Sequence, residues 1–108
     1  MSNNLTAVTK SKRDNGAIEY HLSYDASWDG FDSLIAYMKK HWGGRPVSTQ
    51  DDIYSRSWVM DFKGIIIAIR HDSQIGNYFY RDDDSSNDNL LENIENDLNN
   101  RFNNANAT

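Results

Sequence analysis

The sequence predicts one α+β domain, in which a single mainly antiparallel sheet is covered on one face by two helices. Two segments with apolar residues at helical spacing flank a run of alternating, strand-like segments separated by turns. The predicted order is therefore β-α-β-β-β-α. The length of 108 residues suits one domain, which we expect at residues 16–104. Residues 1–15 are predicted to be a flexible arm and residues 105–108 a disordered tail.

The first strand is predicted at residues 17–24, where apolar and polar side chains alternate. This alternation is typical of a strand that buries one face. The buried face would carry Ile18, Tyr20, Leu22 and Tyr24, and the outer face Glu19, His21 and Ser23.

The first helix is predicted to begin after Ser27, whose hydroxyl suits an N-cap. Spacings of three and four residues then give an amphipathic stripe, and Gly43-Gly44 would end the helix. The stripe consists of Trp28, Phe31, Ile35, Met38 and Trp42.

A hairpin follows, and Lys63-Gly64 is its predicted two-residue turn. This turn fixes the register, because each pair of residues equidistant from it lies opposite. The predicted pairs are Phe62 with Ile65, Met60 with Ile67, Trp58 with Ile69, and Arg56 with His71. We also expect Tyr54 to continue the strand on the same face as Trp58.

A longer turn at residues 72–76 leads to the predicted strand 77–81, and an acidic break at 82–86 follows. The second helix is predicted to start near Ser85 or Ser86 and to fray near Asn103. Its apolar stripe consists of Leu90, Leu91, Ile94, Leu98 and Phe102.

The net charge of −5 is concentrated near the end of the chain, since residues 82–108 contain seven acids and one base. Such a segment repels phosphates, so we expect no nucleic-acid ligand and favour a basic partner. A solvated acidic face is the alternative. Cysteine is absent, no apolar signal segment occupies the first ten residues, and no apolar run could span a bilayer. These features predict a cytoplasmic protein with no membrane partner.

The sheet face opposite the helices is the predicted partner-binding site. If Phe79 lies opposite Ile69, then Tyr78 and Tyr80 point to this uncovered face. Tyrosine and arginine are enriched where proteins bind proteins. A homodimer through this face and an ordinary exposed sheet face are alternatives. The predicted contact residues are Arg70, Tyr78, Tyr80, Asp61, Asp82, Asp83 and Asp84.

No motif for catalysis, phosphate binding or metal binding occurs, so we predict neither an enzyme nor a cofactor. The best candidate for acid–base chemistry is Arg56 opposite His71, with Asp72 adjacent. A local hydrogen bond of His71 and a core-rim position for Arg56 are the simpler interpretation.

Three short stretches resemble small bacterial immunity proteins that are paired with the toxin domains of contact-dependent growth inhibition systems. They are Tyr54-Ser-Arg-Ser-Trp58, Phe62-Lys-Gly64, and Arg70-His-Asp72 with Ile75-Gly-Asn-Tyr-Phe-Tyr80. The resemblance implies a non-catalytic cytoplasmic protein that binds one cognate toxin domain, often a nuclease with a basic cleft. It assigns no individual binding residues.

Two other functions stay open from the sequence. One is an acidic inhibitor of the phage type that mimics nucleic acid. The other is a small hydrolase or nuclease that uses His71 and Arg56.

Overall fold

The computed structural model describes residues 7–82 and 89–106, which form one six-stranded antiparallel sheet and two helices. The predicted α+β class with one antiparallel sheet is confirmed. The strands lie in the order β1-β2-β6-β5-β4-β3 across the sheet. The elements are β1 (Val8–Lys12), β2 (Ile18–Leu22), α1 (Trp28–Trp42), β3 (Arg45–Asp51), β4 (Ser55–Phe62), β5 (Ile65–Asp72), β6 (Gly76–Arg81) and α2 (Asn89–Asn106).

Two strands, β1 and β3, were not predicted, and they form the two edges of the sheet. The segment expected to be a flexible arm contains β1, whose Val8 is 2% exposed and pairs with Leu22. An edge strand buries few side chains, so neither edge shows the alternation that revealed the other strands.

The helix α1 has the predicted bounds and caps. The Ser27 hydroxyl accepts a hydrogen bond from the Gly30 N–H at 2.9 Å, and Gly43 adopts the left-handed conformation at φ 69°. Asp29 lies in the first turn and Lys39 and Lys40 in the last. The side-chain charge at each end is therefore opposite in sign to the partial charge of the helix dipole there, which is stabilising.

The β4–β5 hairpin has the predicted register at all four pairs. Lys63 and Gly64 have φ values of 55° and 96°, which are the two positive angles that a type I′ turn needs. The Gly64 N–H also donates to the Asp61 carboxylate at 2.6 Å. Tyr54, expected in the strand, lies instead in the β3–β4 turn and is 72% exposed.

The buried side chains of both helices belong to one core cluster with side chains from a single sheet face. In this cluster Tyr20 and Phe79 stack at 5.2 Å. The helix α2 continues to Asn106, past the predicted end of the domain. Its predicted start at Ser85 or Ser86 lies outside the described residues.

Candidate functional site

The predicted site on the outer sheet face has the expected orientation but not the expected exposure. Phe79 pairs with Ile69, so Tyr78 and Tyr80 point away from the core cluster. Each is nevertheless only 8% exposed, and with Ala68 they form a small separate buried cluster. The expectation of an uncovered aromatic face is therefore corrected.

Side chains of the β1–β2 hairpin cover this face. The Arg13 guanidinium lies 4.0 Å from the centre of the Tyr80 ring, and the His21 ring stacks on Tyr78 at 4.8 Å. Glu19 holds both covering groups, because its carboxylate pairs with Arg13 at 2.5 Å and contacts His21 Nε2 at 2.9 Å. The predicted flexible arm thus supplies part of the cover.

Arg70 joins the same cluster, and its hydrogen bond with Tyr80 raises the pKa of its guanidinium. Burial raises the pKa of the Tyr78 phenol above its ordinary value.

The two acidic residues of the predicted site that the structure describes, Asp61 and Asp82, differ in exposure. Asp61 is half-buried, pairs with Arg45 at 3.1 Å and supports the Lys63-Gly64 turn. Asp82 is exposed next to Arg81, whereas Asp83 and Asp84 lie outside the described residues.

The pair proposed for acid–base chemistry is held opposite as predicted, but neither side chain is open to a ligand. His71 is 5% exposed, and its Nδ1 contacts the Asn77 amide oxygen at 2.8 Å. Arg56 is 6% exposed and pairs with Asp51 at 3.0 Å and with Asp32 at 2.7 Å. Both side chains act as structural groups in this arrangement.

A different part of the molecule exposes large apolar side chains. Six such side chains are exposed among the described residues, and four of them lie at one end of the sheet. The four are Trp28, Ile53, Tyr54 and Ile75, with exposures of 38%, 82%, 72% and 58%.

Carboxylates surround these apolar side chains. We call this region the acidic end and define it as residues 25–32, 51–56 and 71–76. It contains six aspartates, and its only basic side chains are Arg56 and the imidazole of His71. The aspartates are Asp25, Asp29, Asp32, Asp51, Asp52 and Asp72.

Hydrogen bonds between backbone segments hold the acidic end together. The Ser73 N–H donates to the Tyr54 carbonyl at 3.0 Å, which joins the β3–β4 turn to the β5–β6 turn. The buried Asn77 amide donates to the carbonyls of Asp25 and Ser27 at 2.9 and 3.0 Å, which fixes the start of α1 against β6. These hydrogen bonds therefore hold in place the segments that carry the exposed side chains.

Arg56 lies beneath the surface of the acidic end and organises it. Its guanidinium carbon is 4.7 Å from the Trp28 ring centre and 4.5 Å from that of Phe31. Burial lowers the pKa of Arg56, but its hydrogen bonds to Asp51 and Asp32 outweigh that effect and raise it. The hydrogen bond from Arg56, followed by that from the Trp58 indole, lowers the pKa of Asp51.

The remaining aspartates are placed where negative charge is tolerated. Asp29 is at the N-terminus of α1, whose dipole is positive there. Asp72 accepts from the N–H groups of Gln74 and Ile75 within its turn. Six aspartates against one arginine leave the acidic end with a formal excess of five negative charges.

A groove of about 350 Å³ between α1 and α2 has a mainly apolar wall that includes Leu34 and Phe102. Two of its polar side chains are held by Asp97 beside the groove: Tyr37 donates to the Asp97 carboxylate at 2.5 Å, and Arg101 pairs with it at 2.7 Å. Burial, and then the bond to Asp97, raises the pKa of Tyr37.

Sequence reasoning missed the acidic end because its parts are far apart along the chain. The exposed Ile53 was not singled out, and Tyr54 was assigned to a buried strand face. The available signal was Asp51-Asp52 directly before two large apolar residues, a combination typical of an exposed turn rather than a strand.

No family model matches the chain, and no curated protein or solved structure matches it significantly. Within residues 7–82 and 89–106, no three His, Asp or Glu side chains are grouped so that they could hold a metal ion. Neither helix of that part of the chain has the length and apolarity needed to cross a membrane.

Proposed function

We propose that this protein is an immunity protein of the contact-dependent inhibition type, which binds and neutralises a cognate toxin domain in the cytoplasm of the producing cell. One observation carries the proposal: four large apolar side chains are exposed together at the acidic end. The resemblance of residues 54–80 to such proteins supports the same function.

The chemistry of the acidic end favours a protein with a basic surface. Exposed tyrosine, tryptophan and isoleucine provide contact area, and a charged rim is typical of a binding patch. The excess of carboxylates would steer a positive partner towards this surface and speed association. A nuclease toxin needs a basic cleft to bind phosphates, so it is a partner of the right charge.

The acidic end is a better candidate surface than the outer sheet face. Tyr78 and Tyr80 are covered by Arg13 and His21, whereas Ile53 and Tyr54 already face solvent. Binding at the acidic end would need no rearrangement of the fold, which lowers the cost of association.

The proposal predicts that a large exoprotein is encoded immediately upstream. The direct test is isothermal titration calorimetry of the full chain with the C-terminal domain of that exoprotein. We expect Tyr54→Ala to weaken binding at least tenfold, because central aromatic contacts dominate such interfaces. Tyr54 is in an exposed turn, so the melting temperature should stay within a few degrees of the wild type.

A pair of charge reversals compares the two candidate surfaces. Asp52→Lys changes the acidic end, and Asp82→Lys makes the same charge change beside the outer sheet face. We expect the first to weaken binding and to reduce its salt dependence, and the second to have little effect. If Asp82→Lys weakened binding and Asp52→Lys did not, the interface would lie on the outer sheet face, where the sequence predicted it.

The same titrations address the alternative functions. An absence of binding to the upstream domain would refute the proposal. Equal binding to several unrelated nucleic-acid-binding proteins would instead favour an acidic mimic of nucleic acid.

A further inference from the structure

The two edges of the sheet differ in whether their outward backbone groups are available. In an antiparallel pair, residues alternate between those that bond to the neighbouring strand and those that point away from it. At the β3 edge, the Asp52 N–H donates to the Ser55 carbonyl at 2.8 Å. Counting back from this bonded pair, Gln50 and Ser48 bond to β4, and the N–H and C=O groups of Asp51 and Thr49 point outward.

At the β1 edge, the same counting identifies outward groups that are partly covered. The Ser23 N–H donates to the Ala7 carbonyl at 2.8 Å, so the outward groups belong to Val8, Lys10 and Lys12. The Val8 N–H already donates to the Asn99 side chain of α2 at 3.2 Å. Lys10 pairs with Glu95 of α2 at 3.6 Å and so holds a charged side chain across this edge. Helix α2 therefore covers the start of β1.

The β3 edge has no comparable cover from the described part of the chain. Outside the ladder with β4, the backbone groups of Thr49 and Asp51 make none of the hydrogen bonds found among residues 7–82 and 89–106. Pro46 and the register shift before Ser48 interrupt the other half of the strand. The open stretch is therefore Ser48–Asp51, which ends beside the exposed Ile53 and Tyr54.

We propose that an extended segment of the toxin domain pairs with Ser48–Asp51 and adds a seventh strand to the sheet. This inference rests on the proposed function and specifies how the partner is held. Backbone pairing would supply hydrogen bonds to Thr49 and Asp51, while the acidic end contacts the side chains beyond the strand. Because Asp51 and Asp52 at the end of this edge are negatively charged, we expect the pairing segment to carry lysine or arginine.

A second copy of this chain fits the edge less well. An antiparallel self-pairing that uses both outward residues of this stretch places Thr49 of one copy opposite Asp51 of the other. The two copies of Asp51 would then lie diagonally across the joined strands, two residues apart in register, where their charges are still close enough to repel. Like charges at such positions are unfavourable, so the geometry favours a basic partner over a homodimer.

Proline at position 49 tests the backbone contact directly. Thr49→Pro removes an outward N–H and no bond to β4, so the fold should be retained. Thr49→Ala is the matched control, because it shortens the side chain and keeps the N–H. Lys12→Pro is a second control, since it removes an outward N–H at the opposite edge. Thermal melts of all three variants establish that they are folded.

In titrations with the upstream toxin domain, we expect Thr49→Pro to bind at least tenfold more weakly and both controls to bind like the wild type. Amide hydrogen exchange provides an independent readout on the wild-type chain. The Thr49 and Asp51 amides should exchange freely in the protein alone and become protected in the complex.

The outcomes separate this inference from the proposed function. Wild-type affinity of Thr49→Pro, with both amides still exchanging in the complex, would overturn strand addition while leaving the binding function intact. If Thr49→Pro fails to fold, the exchange measurement decides alone. A wild-type dimer in sedimentation that Thr49→Pro converts to a monomer would assign the edge to a second copy. An absence of toxin binding would overturn both proposals.

Discussion

Arg56 offers the sharpest test of how the acidic end is stabilised, because its guanidinium and its methylene stem contribute separately. Replacing it with alanine removes two buried methylenes, Cγ and Cδ, worth about 0.8 kcal/mol each. It also removes the ring contacts with Trp28 and Phe31, worth about 0.5–1 kcal/mol each. Removing the guanidinium also recovers part of the desolvation free energy that its burial costs, which partly offsets these losses.

The solvent exposure of the carboxylates that pair with Arg56 limits the loss of stability when Arg56 is removed. The Asp51 and Asp32 side chains are 44% and 58% exposed, so water can hydrate them once Arg56 is gone. The usual cost of breaking a fully buried ion pair therefore does not apply in full. We expect Arg56→Ala to lower the free energy of unfolding by about 3 kcal/mol, combining the methylene and ring contributions.

Arg56→Met is the matched variant, since it keeps a long apolar stem between the rings and removes the charge. We expect it to cost only about 1 kcal/mol, as charged pairs near a surface contribute little net stability. Chemical denaturation at pH 7 measures both values. In thermal unfolding, the losses correspond to decreases of roughly 15 °C for alanine and 5 °C for methionine.

Equal destabilisation by the two variants would refute this reasoning, because it would mean that the charge rather than the packed stem carries the stability. A loss below about 1 kcal/mol for Arg56→Ala would likewise show that the ring contacts contribute little.

Three further predictions concern stability. The pKa values of Asp51 and Asp97 lie below 3.8 in the folded chain, so their stabilisation should be complete at neutral pH and disappear as the pH falls below that value; circular dichroism melts from pH 7 to 2.5 would measure the decrease, and a flat profile would contradict it. Asn77→Ala should cost about 2 kcal/mol in urea denaturation, because the Asp25 carbonyl loses this donor, the Ser27 carbonyl keeps only the Phe31 N–H, and the buried His71 loses its partner; a loss below 0.5 kcal/mol would show that water replaces the amide. Gly43→Ala should cost about 1 kcal/mol by the same method, since φ is 69° there, whereas Gly43→Asn should cost less.

The predictions that succeeded rest on interactions between residues close in sequence. Ser27 and Gly43 cap α1 as expected, because a cap is satisfied within one turn of the helix. The two-residue turn at Lys63-Gly64 determines every pair of the β4–β5 hairpin. Strand and helix periodicity likewise located most of the core, since burial repeats every two or every three to four residues.

The predictions that failed depend on residues distant in sequence. Tyr78 and Tyr80 face the side that the register requires, but their exposure depends on Arg13 and His21 from the β1–β2 hairpin. The β3 strand gave no signal, because an exposed edge imposes no alternation on its side chains.

The α+β class, the caps of α1 and the pairing of the central hairpin could be predicted from the amino-acid sequence, because short-range geometry sets each of them. The place where charge and exposed apolar surface meet follows from the three-dimensional fold. Read along the chain, negative charge is concentrated at residues 82–97, whereas in the fold the six aspartates of the acidic end come together from three separate segments. Electrostatic fields and solvent exposure depend on distances in space, and antiparallel pairing with α1 brings these segments together.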